Sequence, residues 1–373
     1  MEARAIVLEK FNEPLVLRTF PIPKLREGEV LVKVEAAGVC GSDVHQWEGR
    51  DPRIRLPMIL GHEGVGEIAE IRGEKKDIYG DALRAGDKVL WNRGVTCGRC
   101  YYCVVKREPS LCPDRWVYGI HTTCAGHPYL TGNYAEYLLL DPRTDLFKID
   151  LGLDLKVLVP ASCSGATAAH AFDLAPLESG DSVVIQGVGP LGIFSVAFAR
   201  SRGASEIIVI GGTEERLKMC EAFGATILLN RHLLSGKERR QRVMEATRGR
   251  GVDVTFEMAG EPDALKECVS LTRTGGACVS AGFGEPHGKV ELDCFHDIGR
   301  KNLHLQGVWV SDARHTHMAL QLMLSRLDDF KGLITHTFPL EKANDAIRVM
   351  KTKEAVKAVL LPHGGEVVGN DQV

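Results

Sequence analysis

Apolar positions follow two different rhythms along the chain. From Met1 to about Leu60, short β-rich runs such as Ala3 to Leu8 and Val30 to Val34 are broken by turn residues, among them Pro14, Pro21, Pro23 and Gly28. Punctuation this dense predicts a small, irregular β domain. From about Gly165 the rhythm changes. Val183 to Gln186, Ile207 to Ile210, Val252 to Glu257 and Ala277 to Ala281 read as buried strands, and helical patterns such as Glu214 to Phe223 and Pro262 to Leu271 lie between them. Strands alternating with helices predict an α/β, doubly wound parallel sheet. Past about Leu305 the alternation stops. A helix-like stretch from Leu340 to Met350 and an apolar strand from Val356 to Leu361 are expected to rejoin the first domain, and Gly364 to Val373 reads as a frayed end. The expected divisions are therefore 1–164, 165–305 and 306–373.

Length agrees with this division, since 373 residues exceed the size at which one core usually stops growing. Apolar residues at 44% and charged residues at 25% are ordinary for a soluble chain, and a net charge of -3 gives no general attraction to nucleic acid or anionic membrane. The start, Met1 to Leu8, lacks the apolar core of a signal peptide, and no run reaches the ~18 apolar residues of a membrane span, so a cytoplasmic location is expected. Eleven cysteines, an odd number with metal-type spacing, suit a reducing compartment better than a disulfide framework. The polar insert Arg72 to Asp77 reads as a solvated loop.

The chemistry is concentrated in a few segments. Cys97, Cys100 and Cys103 stand at two-residue gaps and Cys112 follows, a spacing that wraps four thiolates round one Zn²⁺ at about 2.3 Å. Four protein ligands leave no open position, so this lobe, about 93–115, is structural. Cys40 and His62 are further zinc-type ligands, and Glu63 can join them or tune the ion from behind. Cys124 and His127 form half of a metal pattern with no second half nearby. Gly187, Gly189 and Gly192, with Pro190 and Leu191 between them, sit between a strand and a helix, as a dinucleotide fingerprint requires. Cys220, Cys268, Cys278 and Cys294 read as small buried hydrophobes.

In this order, the Gly-His-Glu segment, the cysteine lobe and the glycine fingerprint resemble the zinc-containing medium-chain dehydrogenase/reductase family of alcohol and polyol dehydrogenases, over essentially the whole chain. The resemblance implies a GroES-like catalytic domain and a Rossmann domain, with the active site in the cleft between two domains and a homodimer or homotetramer as the assembly. It also implies a second, catalytic zinc held by Cys40, His62 and Cys163, the last in Pro160-Ala161-Ser162-Cys163-Ser164-Gly165-Ala166-Thr167. An open position on such an ion makes a bound hydroxyl easier to deprotonate. Ser42 and His45 match the family's proton relay, and Thr167 the residue placed against the nicotinamide. Ala281 and Gly282 are expected beside the cofactor. The family's NAD-binding acidic residue has no counterpart straight after Ile210, where Gly211, Gly212, Thr213 and then Arg216 follow. These residues favour NADP, while Glu214 or Glu215 can still serve NAD. At the family's substrate-pocket position stands Arg93, beside Trp91. Its guanidinium can bind an anionic group of the substrate, or else reach solvent or pair with an Asp.

Overall fold

The computed structural model describes residues 1–149, 152–365 and 368–369. The chain divides into two compact units, 1–163 with 311–373, and 164–310.

The first unit is mainly β. Its largest sheet runs in the order Leu146–Lys148, Lys88–Trp91, Gly64–Ile71, Val30–Val39, Ala358–Leu361 and His336–Pro339, with Tyr137–Leu140 also paired to Val30–Val39. The strand Val30–Val39 lies at its centre and continues five residues past the expected Val34 because the apolar run carries on through Ala37 and Val39. A second sheet pairs Glu2–Leu8 antiparallel with Val16–Pro21 and Met58–Ile59. The core between them takes Val7, Leu8, Val32, Val34, Trp91, Tyr118 and Tyr134, all almost wholly buried. Near the C-terminus a tight turn, Leu340–Lys342, leads into the helix Ala343–Lys351, whose Ala343, Ala346, Ile347 and Val349 face inward. The strand Ala358–Leu361 then pairs antiparallel with Val30–Val39. Of the expected frayed end, residues 366–367 and 370–373 lie outside the described residues, while Val368 exchanges two backbone hydrogen bonds with Thr337. The insert Arg72 to Asp77 is not simply solvated: Lys75 Nζ donates to the carbonyls of Pro142 (2.6 Å) and Thr144 (2.9 Å).

The second unit holds a six-stranded parallel sheet ordered Ile227–Asn230, Glu206–Gly211, Ser182–Gln186, Val252–Glu257, Thr272–Ser280 and His304–Gly307. Continuous apolar runs suit strands covered on both faces. Helices start where the sequence supplies caps: Ser235 and Glu238 form a reciprocal capping box, and Pro262 opens the helix Pro262–Leu271. The sheet ends one strand later than the pattern suggests, because the short strand His304–Gly307 pairs beside Thr272–Ser280. Phe172, from the helix Ser164–Leu174, stacks on Phe256 with ring centroids 4.2 Å apart, closing the core. Cys220, Cys268 and Cys278 are fully buried here, but Cys294 is exposed, which corrects its reading as a core residue. It opens the π-helical turn Cys294–Gly299, none of whose residues is buried. Among the described residues no helix is long and apolar enough to cross a membrane.

Candidate metal centres and dinucleotide site

Cys40 follows the central strand and caps the helix Gly41–Trp47, and its N–H donates to Asp43 Oδ2 (2.8 Å). Asp43 is fully buried, accepts a second hydrogen bond from Tyr134 Oη (3.0 Å), and lies 3.2 Å from His62 Nδ1. A carboxylate on Nδ1 turns Nε2 toward the metal position, as metal-binding imidazoles require. That Nε2 stands 3.3 Å from Cys163 Sγ and 3.4 Å from Ser42 Oγ. Cys163 ends the 3-10 helix Leu155–Ser162, and its Sγ lies 4.0 Å from that of Cys40.

All these cysteines are free thiols. Bonds of about 2.3 Å to a tetrahedral ion give an edge of about 3.8 Å between ligands, which the sulfur separation fits. Ligand atoms of Cys40, His62, Glu63 and Cys163 all lie within 4.8 Å of one another. Protonation tells the same story. The Cys163 thiol hydrogen-bonds the Cys40 sulfur and holds it well below the usual thiol range, while Cys163 itself is pushed well above it. Burial opposes charge on His62, yet the Asp43 carboxylate and the Cys40 sulfur hold it up to about 9. Two sulfurs and an imidazole this close together form a donor set that a dication satisfies.

Glu63 has no exposed surface and forms an ion pair with Lys357 Nζ, which is 1% exposed. Burial works against the ammonium, but Glu63, and then the Cys40 and Cys163 sulfurs, keep Lys357 charged and above its ordinary range. The sequence carries a signal for this residue, a lone lysine between Val356 and Ala358 in an apolar run, to which a strand pattern is blind. Ser42 and His45 occupy successive turns of the short helix, at a spacing that puts them on one face, and both are half-buried.

Arg93 is only 7% exposed, and its Nη1 donates to Cys163 Sγ at 2.8 Å. Its side chain therefore points inward, not to solvent. Trp91 is fully buried in the first unit's core, so its ring offers no surface to a substrate.

The lobe brings its four sulfurs together: Cys97 and Cys112 lie 3.5 Å apart, as do Cys100 and Cys103. Backbone N–H groups of Arg99 and Cys100 point at the Cys97 sulfur and, the Arg99 one foremost, pull its pKa down to about 7. Among the described residues these two sites are the places where such ligands meet. Cys124 packs in the core and His127 lies edge-on to Tyr129.

In the second unit, Gly187 follows the strand Ser182–Gln186 with φ +113, and Gly189 and Pro190 open the helix Pro190–Ser201. A Cβ on Gly192 would stand 1.9 Å from the Gly187 carbonyl, so the turn closes onto the helix only with glycine there. Leu191 lies in the first turn of this helix. Ala281 and Gly282 follow the strand Thr272–Ser280 and donate to the Glu257 carbonyl (3.0 and 3.1 Å). Past Gly211, Thr213 caps the helix Glu214–Phe223. Glu214 pairs with Lys218 (3.1 Å), and both Glu214 and Glu215 are exposed. A Cβ on Gly212 would meet His232 Nε2 at 2.6 Å and Arg231 Nε at 3.0 Å, so two basic side chains missed from sequence flank this strand end. Arg216 is half-buried nearby, one turn into the helix, and Thr167 lies in Ser164–Leu174.

A GroES-like β unit with two clustered ligand sets, together with a glycine-turn Rossmann unit, defines a zinc-type dehydrogenase. Comparisons agree. Residues 26–150 match the model for an alcohol dehydrogenase GroES-like domain, and residues 190–326 that for a zinc-binding dehydrogenase. A sorbitol dehydrogenase of Bacillus subtilis is 31% identical, covering 96% of this chain and 97% of its own. The crystal structure of an alcohol dehydrogenase from Thermotoga maritima shares 47% identity with a TM-score of 0.94, covering 97% of this chain and 99% of that one. A zinc-binding dehydrogenase structure from Sinorhizobium meliloti, bound to NADP, shares 28% identity at a TM-score of 0.84, covering 97% of this chain and 100% of that one. The chain belongs to the zinc-containing medium-chain alcohol dehydrogenase family and is an NAD(P)-dependent alcohol-type oxidoreductase.

Replacing Lys357 by Met strands a buried carboxylate, which costs about 3–5 kcal/mol. Urea denaturation of Lys357→Met should show a loss of this size, and the double variant Lys357→Met/Glu63→Gln should recover most of it. Equal losses in the two variants would remove the pairing from the account.

Proposed function

We propose that the chain oxidises a primary or secondary alcohol, or reduces the matching carbonyl, with the reacting oxygen directed to the Cys40, His62 and Cys163 site and NADP as the hydride carrier. The observation that carries this reading is the convergence of those three ligand atoms, with Ser42 Oγ beside them. Zinc bound there would polarise a hydroxyl and ease its deprotonation, and the nicotinamide would exchange hydride with the carbon.

The chain's own residues supply the rest. Ser42 receives the hydroxyl proton and His45, at i+3 on the same helix, passes it outward. Lys357 ties up Glu63, so Cys40, His62 and Cys163 would be the residues to hold an ion, which would leave it room to take a substrate oxygen. Asp43 fixes the tautomer and aim of His62. The four-cysteine lobe holds a second zinc and shapes its loop.

For the cofactor, Arg216, Arg231 and His232 gather near the end of the strand Glu206–Gly211, where a ribose 2′-phosphate would lie, while the nearby glutamates point to solvent. Gly187 to Gly192 give the pyrophosphate a helix N-terminus. Thr167, Ala281 and Gly282 would border the nicotinamide half.

Elemental analysis should find two zinc per chain. Cys163→Ser should lose one zinc and lower kcat by about 1,000-fold or more. Cys100→Ser should lose the other and lower the Tm. A single zinc in the unaltered chain would contradict the scheme.

Fluorescence titration should show NADPH binding more tightly than NADH, and Arg216→Ala should weaken NADPH by about tenfold while leaving the NADH constant within a factor of two. Tighter NADH binding in the unaltered chain would reverse the cofactor assignment.

A further inference from the structure

Arg93 leaves a stretch of backbone that is held on both sides. Before it, the Asn92 N–H donates to the Asp145 carbonyl (3.0 Å); after it, Gly94–Val95 pairs with Trp116–Val117. The Arg93 carbonyl accepts from the Tyr118 N–H (3.2 Å), and the Asn92 side chain spans the residue to reach the Gly94 carbonyl (3.0 Å). Asn92, Arg93 and Tyr118 are all buried. A long side chain that leaves a fixed backbone into a packed interior has little freedom, so its guanidinium is delivered to one place. That place is Cys163, whose Sγ lies 2.8 Å from Arg93 Nη1. The same sulfur stands 3.3 Å from His62 Nε2 and 4.0 Å from Cys40 Sγ. The guanidinium therefore donates to a member of the ligand set itself.

A thiolate shares its electron density among all that it touches. An N–H aimed at the sulfur draws on density that would otherwise go to an ion, and hydrogen bonds to ligand sulfurs tune bound metals for this reason. Arginine suits the task, because it stays charged at any working pH and donates from a rigid fork. His62 is treated in the opposite way. The Asp43 carboxylate, 3.2 Å from Nδ1, makes the imidazole a stronger donor. One ligand is strengthened from behind and another is weakened.

We infer that Arg93 is a positioning residue that acts through Cys163: its hydrogen bond to Sγ weakens the sulfur as a donor and leaves zinc at Cys40, His62 and Cys163 a stronger Lewis acid toward a substrate oxygen. The inference rests on the metal-assisted reading above. It gives Arg93 the work of tuning the site in place of reading an anionic substrate.

The test uses the full chain with cobalt(II) exchanged into the Cys40, His62 and Cys163 site and zinc kept in the lobe, checked by elemental analysis. A hydrogen bond lowers the energy of the sulfur lone pair, so its loss in Arg93→Met should move the sulfur-to-cobalt charge-transfer band to longer wavelength by roughly 10 nm. Arg93→Lys, which keeps an N–H donor, should fall between the two. Arg93→Gln gives the same comparison should the Met variant not hold cobalt. With zinc in both sites and 1-butanol as substrate, Arg93→Met should lower kcat about tenfold and leave KM within about a factor of three. A band that stays in place in a cobalt-loaded Arg93→Met would overturn the inference alone, and a raised KM with unchanged kcat beside it would return Arg93 to substrate binding. Failure of the unaltered chain to hold cobalt or zinc at Cys40, His62 and Cys163 would sink the metal-assisted reading and this inference with it.

Discussion

A single buried carboxylate, Asp43, organises the candidate metal centre formed by Cys40, His62 and Cys163. Through one oxygen it takes the N–H of Cys40 and the hydroxyl of Tyr134, and through the other it faces His62. Those contacts tie a helix start, a turn between two strands and a distant loop into one geometry. Cys163 completes it from the end of a 3-10 helix more than a hundred residues along the chain. These contacts hold the ligand positions from the protein side. The cysteine lobe is the opposite case, since its ligands are neighbours in sequence and its loop has little core of its own.

Burial sets the electrostatics round this centre. His62, Glu63 and Lys357 are all removed from solvent, so each charge depends on a partner a few ångströms away. The ion pair between Lys357 and Glu63 holds a carboxylate within 4.8 Å of the Cys40, His62 and Cys163 ligand atoms. Arg93 acts from the other side, on the Cys163 sulfur.

Much of this is legible in the amino-acid sequence. The helices Glu214–Phe223 and Pro262–Leu271 have the expected bounds: Gly224, in the left-handed region, ends the first, and Pro262 opens the second. Cys40, His62 and Cys163 meet as the family resemblance implies. Less legible is whatever depends on contacts between distant segments. The helix Ala313–Ser325 and the strands Ile227–Asn230 and His304–Gly307 are short or mixed in pattern, and tertiary pairing decides them. Lys357 is hidden inside an apolar run. Cys294 misleads because a cysteine's usual burial says nothing about a turn that stays at the surface.

The claim beneath all of this is that Cys40, His62 and Cys163 grip one metal ion. A crystal of the zinc-loaded protein, with diffraction recorded on both sides of the zinc absorption edge, tests it most directly. The account predicts an anomalous peak about 2.0–2.3 Å from Cys40 Sγ, His62 Nε2 and Cys163 Sγ, in addition to one within the cysteine lobe. A peak in the lobe alone, with these three side chains bound to nothing, would contradict it.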